Sequence, residues 1–250
     1  MTAGISKELD NVKLYYFNYN RTGGLGESIK LLLEDFEIKH KYIQVERNPE
    51  AWDNSFREEL IASDKPFDCL PLLETKDGKR YFCSGPILRF LAKKLGMFDG
   101  LSDEDIQFLD ATENLNFDWY ISLALHVARP IVTDENRKNY IESGYRKHAV
   151  RLDRLYGIHD GPYILGSKVC VIFYLSFYRV SGNNTGGYDI SYTDYVVYHT
   201  LDDHRPILDI KDFPKLSKLV EAFEKRPNIK KYLASLPHKN GPLEQELSQK

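Results

Sequence analysis

Leu70-Pro71-Leu72-Leu73-Glu74-Thr75-Lys76-Asp77-Gly78-Lys79-Arg80-Tyr81-Phe82-Cys83-Ser84-Gly85-Pro86 is the stretch whose reading decides the fold. Proline has no amide proton to give a sheet ladder, so Pro71 belongs at a strand mouth or edge. With a cis bond at that place, the backbone of Leu70 is expected to turn outward, where it can pair with a peptide-like ligand. Leu72 to Thr75 and Arg80 to Phe82 then read as a hairpin around the Asp77-Gly78 turn. Ser84 is expected to open and cap a helix, with Pro86 in its first turn and Gly96 beyond its end. A helix N-terminus with a hydroxyl cap is a carboxylate site. Strand edge and helix end together describe a cradle for a small peptide.

Upstream of this stretch, Val12 to Phe17 reads as a first strand, bounded by the glycine-rich turn Arg21 to Gly26. Glu27 to Phe36 reads as a helix, because Ile29, Leu32, Leu33 and Phe36 recur at helical spacing. Tyr42 to Val45 reads as a second strand. Asn48-Pro49 reads as a helix cap followed by proline at the first helical position, opening an irregular helical stretch through Trp52 to Leu60. With Pro86 to Leu95 as the closing helix, the order is β-α-β-α-β-β-α over residues 11–95. Gly96 to Leu101 is a link, and beyond it the pattern is helical. Ser102 to Asp105 and Ser191 to Asp194 both read as capping boxes, the second with Ile190 and Tyr195 as a hydrophobic staple. Pro214, Pro227 and Pro237 punctuate the last helices. The expected fold class is therefore an α/β unit followed by an all-α unit at 102–240.

Bulk composition narrows the function. The chain is 42% hydrophobic and 28% charged with a net charge of −3, a balance that gives nucleic acid no basic face. Its three cysteines, Cys69, Cys83 and Cys170, form no CxxC and no metal-ligand spacing, which points to a reducing compartment and no metal. Met1 to Leu9 lacks an apolar signal core, and the longest apolar run, Val169 to Phe177, is too short to cross a bilayer. A soluble, cytoplasmic protein without a membrane segment is expected.

The chain resembles the cytosolic glutathione S-transferases, most closely their tyrosine-type, sigma-like branch. The resemblance rests on Lys13-Leu14-Tyr15-Tyr16-Phe17-Asn18, Leu70-Pro71-Leu72-Leu73-Glu74 and Ser84 with Ile87-Leu88-Arg89-Phe90-Leu91-Ala92. In the second half it rests on Tyr188-Asp189-Ile190-Ser191-Tyr192-Thr193-Asp194-Tyr195, Phe213-Pro214-Lys215-Leu216 and Arg226-Pro227-Asn228-Ile229-Lys230-Lys231-Tyr232-Leu233. It implies a thioredoxin-like unit joined to a helical unit, usually as a homodimer. It also implies glutathione as co-substrate, no other cofactor, and a hydrophobic electrophile lying over the helices. By position Tyr16 matches the catalytic tyrosine, and Leu70 before Pro71 matches the backbone clamp on the cysteinyl part. Cys83 and Ser84 match the pair on the γ-glutamyl carboxylate, and Trp52 matches a tryptophan at the glycyl end. Asp118 matches a carboxylate reaching the partner subunit's ligand.

The chemistry follows from the thiol. A free thiol of pKa about 8.5 is mostly protonated at neutral pH, and only the thiolate is a good nucleophile. A tyrosine hydroxyl donating to that sulfur favours the anion, at about 1.4 kcal/mol per unit of pKa. Two positions depart from the family pattern. Leu25 stands where an arginine is common, with Arg21 nearby, and Cys83 stands where a Gln or Glu is common. These departures keep two alternatives open: a catalytically weak or inactive binding or structural protein of the same fold, and a glutathione-dependent isomerase. A run at about 168–186 also interrupts the motif order. It reads either as translated intron, with donor-like codons at Ser167-Lys168 and acceptor-like codons at Thr185-Gly186, or as a genuine insertion.

Overall fold

The computed structural model of the chain describes residues 7–18, 23–128, 132–166 and 190–236. Strand β1 (Val12–Phe17) is followed by α1 (Leu25–Asp35), β2 (His40–Val45), a wide helical segment Pro49–Phe56 running into α2 (Arg57–Ile61), β3 (Leu72–Glu74), β4 (Arg80–Phe82) and α3 (Ser84–Lys94). The strands form one mixed sheet in the order β2-β1-β3-β4. β1 runs parallel to β2 and antiparallel to β3, with Tyr15 opposite Leu72, and β3 pairs antiparallel with β4. Adjacent Leu72 and Leu73 feed two different apolar clusters, as the two-residue period of a strand requires. Leu73 joins Val12, Leu14, Ile29, Leu32, Ile87, Leu88 and Leu91, the packed faces of β1, α1 and α3.

The hairpin, both capping boxes and the proline-led helices fall where the sequence puts them. Asn48 accepts the Ala51 amide at 2.8 Å, with Pro49 opening the helical segment behind it. α1 starts at Leu25, within the turn expected to reach Gly26, and β2 starts two residues earlier than its hydrophobic pattern suggests. One expectation is corrected. Ser84 is the first residue of α3 rather than its cap; Cys83 holds the cap position, makes no side-chain cap hydrogen bond, and sits at φ 67°. The chain must turn sharply out of β4 there, and Cys83 takes a left-handed conformation uncommon outside glycine.

Beyond the link the described chain is helical: α4 (Asp103–Leu123), α5 (Asp134–Asn139), α6 (Arg146–Leu155), α7 (Tyr192–His204), α8 (Pro214–Glu224) and α9 (Pro227–Ser235). α7 is enclosed along nearly all its length, as expected of a helix at the centre of a bundle. Its first turn is fixed by Asp194, which accepts from the Ser191 amide (2.7 Å), the Ser191 hydroxyl (2.9 Å), the Tyr156 hydroxyl (2.9 Å) and the Ile164 amide (3.0 Å). Complete burial raises this carboxyl to about 6 against the pull of those donors. The segment at 168–186 lies outside the described residues, as do Cys170, Arg21 and Pro237.

The helices also hold α1 in place. The buried Asp35 carboxylate at its end accepts from Arg226 Nε at 2.6 Å and from the Tyr195 hydroxyl at 2.5 Å, and its carbonyl accepts from Asn228 at 2.8 Å. One turn into α1, Glu27 accepts from the Tyr232 hydroxyl at 3.2 Å. The Arg226-Pro227-Asn228 motif is thus an interface latch, and it sets the position of the helix whose other end meets Tyr16.

A pH dependence of stability arises at His148, which lies parallel to Trp119 with ring centroids 6.2 Å apart. Its Nε2 is buried without a hydrogen-bond partner. Burial, reinforced by Lys147 and Arg151, lowers its pKa from 6.5 to about 4. Between those values the unfolded chain carries a proton that the folded chain refuses, so stability falls as the pH drops through this window. Asp194, whose raised carboxyl works in the opposite direction, is common to both proteins, so the urea midpoint of the native chain is expected to fall relative to that of His148→Phe as the pH drops through this window, the variant keeping a ring and removing the titration.

Candidate functional site

Tyr16 ends the buried side of β1 and is 6% exposed. The turn into α1 wraps its ring: a Cβ at Gly24 or at Gly26 would come within 2.7 Å of Tyr16 atoms, and Gly24 also has φ 73°. Both glycines are therefore required for backbone to pass this close to an aromatic ring. The Leu25 amide, first in α1, donates to the Tyr16 hydroxyl oxygen at 2.9 Å. A hydroxyl whose oxygen accepts a helix-terminal N–H is polarised to donate its own proton more strongly. The residue that departs from the family pattern in its side chain thus contributes through its backbone.

Tyr16, Trp52, Leu70, Leu72 and Phe82 share one cluster, with Leu25 and Cys69 packed against it. Trp52 is 9% exposed and meets Phe17 edge to face, with centroids 4.9 Å apart. The Leu70-Pro71 bond is cis. The ladder between β1 and β3 stops at Leu72, so Leu70 lies past its end. Among the described residues neither its N–H nor its C=O makes a hydrogen bond. The Cys83 amide donates to the Pro71 carbonyl at 3.2 Å, which ties this strap to the start of α3.

At α3 the buried Ser84 and the half-buried Gly85 present the amino end of an eleven-residue helix. Glu113, on α4, brings its carboxylate to that end: a Cβ on Gly85 would lie 2.9 Å from its Oε1. Burial raises the Glu113 carboxyl above the usual range. This residue escapes a sequence reading, since one Glu on a long helix carries no motif. Only the approach of α4 to Gly85 reveals it. Asp118 is exposed, five positions further along α4 and on a different face, where its charge acts on His148. Among the described residues no group of His, Cys, Asp and Glu is arranged to hold a metal, and no helix is long and apolar enough to cross a membrane. A separate cavity of about 570 Å³ is lined by Lys30, Glu34, His40, Tyr42, Asn228 and Tyr232, and includes none of the cradle residues.

A thioredoxin-like unit carrying a tyrosine hydroxyl, a free strap and a helix end, followed by a helical bundle, defines the architecture of the glutathione transferases. The comparisons agree. The family model for the glutathione S-transferase C-terminal domain matches residues 174–236. A curated relative from Caenorhabditis elegans, "Glutathione S-transferase P 10", is 29% identical over 222 residues, covering 88% of this chain and 90% of its own. "Glutathione S-transferase P" from the same organism is 26% identical over 239 residues, covering 93% and 96%. The solved Pi-class glutathione S-transferase of Onchocerca volvulus superimposes with a TM-score of 0.67 at 25% identity, covering 90% of this chain and 92% of its own. Over most of its length the chain is similar to glutathione S-transferases. The P designation of these relatives does not single out the sigma-like branch.

Proposed function

We propose that this chain binds glutathione between the Leu70 strap and the amino end of α3, and transfers its thiolate to electrophilic small molecules. The observation that carries the reading is the Tyr16 hydroxyl, held by the Leu25 amide in one cluster with Leu70 and Trp52. Leu70 N–H and C=O would pair with the cysteinyl peptide group in the manner of one added strand. The α-amino acid head of glutathione is a zwitterion. Ser84 and the α3 amides suit its carboxylate, and Glu113 beside them suits its ammonium. Trp52 would bound the glycyl end. Tyr16 would donate to the sulfur, so that the reaction needs only a stabilised thiolate near an electrophile.

Glutathione then acts as co-substrate, and no prosthetic group takes part. Residues 11–95 would form the glutathione-binding unit, and 102–240 the helical unit over which a hydrophobic electrophile lies. A cytoplasmic homodimer suits the family, with exposed Asp118 available to the partner's ligand. Leu25 does not argue for an inert protein, because its amide supplies a hydrogen bond that no side chain there need provide. Retention on immobilised glutathione, followed by conjugation of a generic aromatic electrophile, tests the proposal. Retention with saturable turnover is the expected result. Retention without turnover would make the protein a carrier, and failure to bind would remove glutathione from the account.

A further inference from the structure

Cys69 and Cys83 lie on the two halves of the cradle. Cys69 directly precedes Leu70 in the strap, and Cys83 directly precedes Ser84 at the start of α3. Their sulfurs are 3.7 Å apart, in direct contact with each other. Both are free thiols; Cys83 is exposed and Cys69 half-buried. A disulfide has an S–S distance of about 2.05 Å, so the sulfurs need approach by only about 1.7 Å, within reach of side-chain rotation. The Cys83 amide on the Pro71 carbonyl holds the strap beside the helix start at this point, which keeps the two cysteines side by side.

We propose that Cys69 and Cys83 form a thiol–disulfide exchange site for small disulfides, and that its oxidised form closes the cradle. The closing of the cradle rests on the glutathione reading above; the exchange itself does not. The exposed Cys83 thiolate attacks one sulfur of a disulfide R–S–S–R. The R–S–S–R bond breaks, Cys83 becomes a mixed disulfide, and the first RS⁻ leaves and takes a proton from water. Cys69 then loses its proton to solvent and attacks the Cys83 sulfur, expelling the second RS⁻. One disulfide is reduced to two thiols, and two cysteines are oxidised to one disulfide.

The order of attack follows from the surroundings. Burial, followed by the neighbouring Cys83 charge, pushes the Cys69 thiol up to about 12, so it is a poor first nucleophile. Once Cys83 is capped as a mixed disulfide, that neighbouring charge is gone and the attack is intramolecular, where proximity compensates for a small thiolate fraction. The product would bolt the strap to α3 beside the free Leu70 backbone groups.

The test uses the full chain carrying Cys170→Ser, reduced and then exposed to either glutathione disulfide or 2-hydroxyethyl disulfide. Lys76, Lys79 and Arg80 separate the two cysteines into different tryptic peptides, so a cross-link is read directly by mass. The expected result is a Cys69–Cys83 cross-link with either reagent, reversed by dithiothreitol, and loss of retention on immobilised glutathione in the linked form. Adding Cys69→Ser should arrest the reaction at a mixed disulfide on Cys83. Absence of the cross-link with both reagents, or a native chain that also stops at the mixed disulfide, would overturn the exchange site. Unchanged retention of the linked form would overturn the closing of the cradle. A cross-link made by 2-hydroxyethyl disulfide in a protein whose reduced form is never retained would support the exchange site while removing the glutathione reading.

Discussion

Tyr16→Phe is expected to lower kcat/KM for conjugation by about 10²–10³-fold, equivalent to about 2.7–4 kcal/mol of lost transition-state stabilisation. The substitution is chosen to separate chemistry from folding. Phenylalanine keeps the ring that Gly24 and Gly26 enclose, so packing in the turn survives. What disappears is the hydroxyl, together with the hydrogen bond it accepts from the Leu25 amide. That amide stands at a helix end, where water readily replaces a partner, so the stability loss should stay near ~1 kcal/mol. In the proposed site glutathione is gripped elsewhere, along Leu70 and α3, so the loss should fall on kcat, with KM for glutathione changing little. A matching loss of retention and turnover would instead make Tyr16 a packing residue.

Asp194→Ala is expected to cost about 3–5 kcal/mol of stability, read as the urea midpoint or as a fall in Tm of roughly 10 °C. This carboxylate serves two amides and two hydroxyls, and all of them are buried with it. Removing it leaves the Ile164 and Ser191 amides and the Tyr156 hydroxyl without an acceptor inside the bundle. The damage should also spread. α7 carries Tyr195, which donates to Asp35, and Tyr192, which donates to Asp110 beside Arg89 of α3. Loosening the first turn of α7 therefore disturbs contacts to both helices that frame the cradle. An effect below ~1 kcal/mol would show that the Ser191 box is ornamental.

The fold was legible in the sequence because its punctuation is local. Pro71, Asp77-Gly78, Gly96, Pro214 and Pro227 each act through their own backbone, and the Ser102 and Ser191 boxes each close within one helical turn. Where the reading slipped, the cause was tertiary. α1 begins at Leu25 because the Tyr16 hydroxyl accepts its first amide, a contact between residues nine positions apart. Cys83 takes the cap position of α3 because the chain leaves β4 through a left-handed residue, which residue type alone does not foretell. The site was legible in part. Leu70 and Ser84 are legible from local pattern and Tyr16 and Trp52 from the family resemblance, and the structure gathers Tyr16, Trp52 and Leu70 into one cluster. Glu113 was missed, since only the approach of α4 to Gly85 gives it meaning. The nearness of Cys69 to Cys83 was likewise invisible, because the hairpin between them had to be folded first.

The most direct test of the central claim, that Tyr16 stabilises a glutathione thiolate, is a spectrophotometric titration of bound glutathione. Thiolate absorbance is followed against pH for the native chain and for Tyr16→Phe, both saturated with glutathione and kept reduced. The account predicts a bound thiol that ionises well below the free value of about 8.5 in the native chain and moves back toward it in the variant. A bound thiol that ionises at the free value in the native chain, or equally low in both proteins, would contradict it.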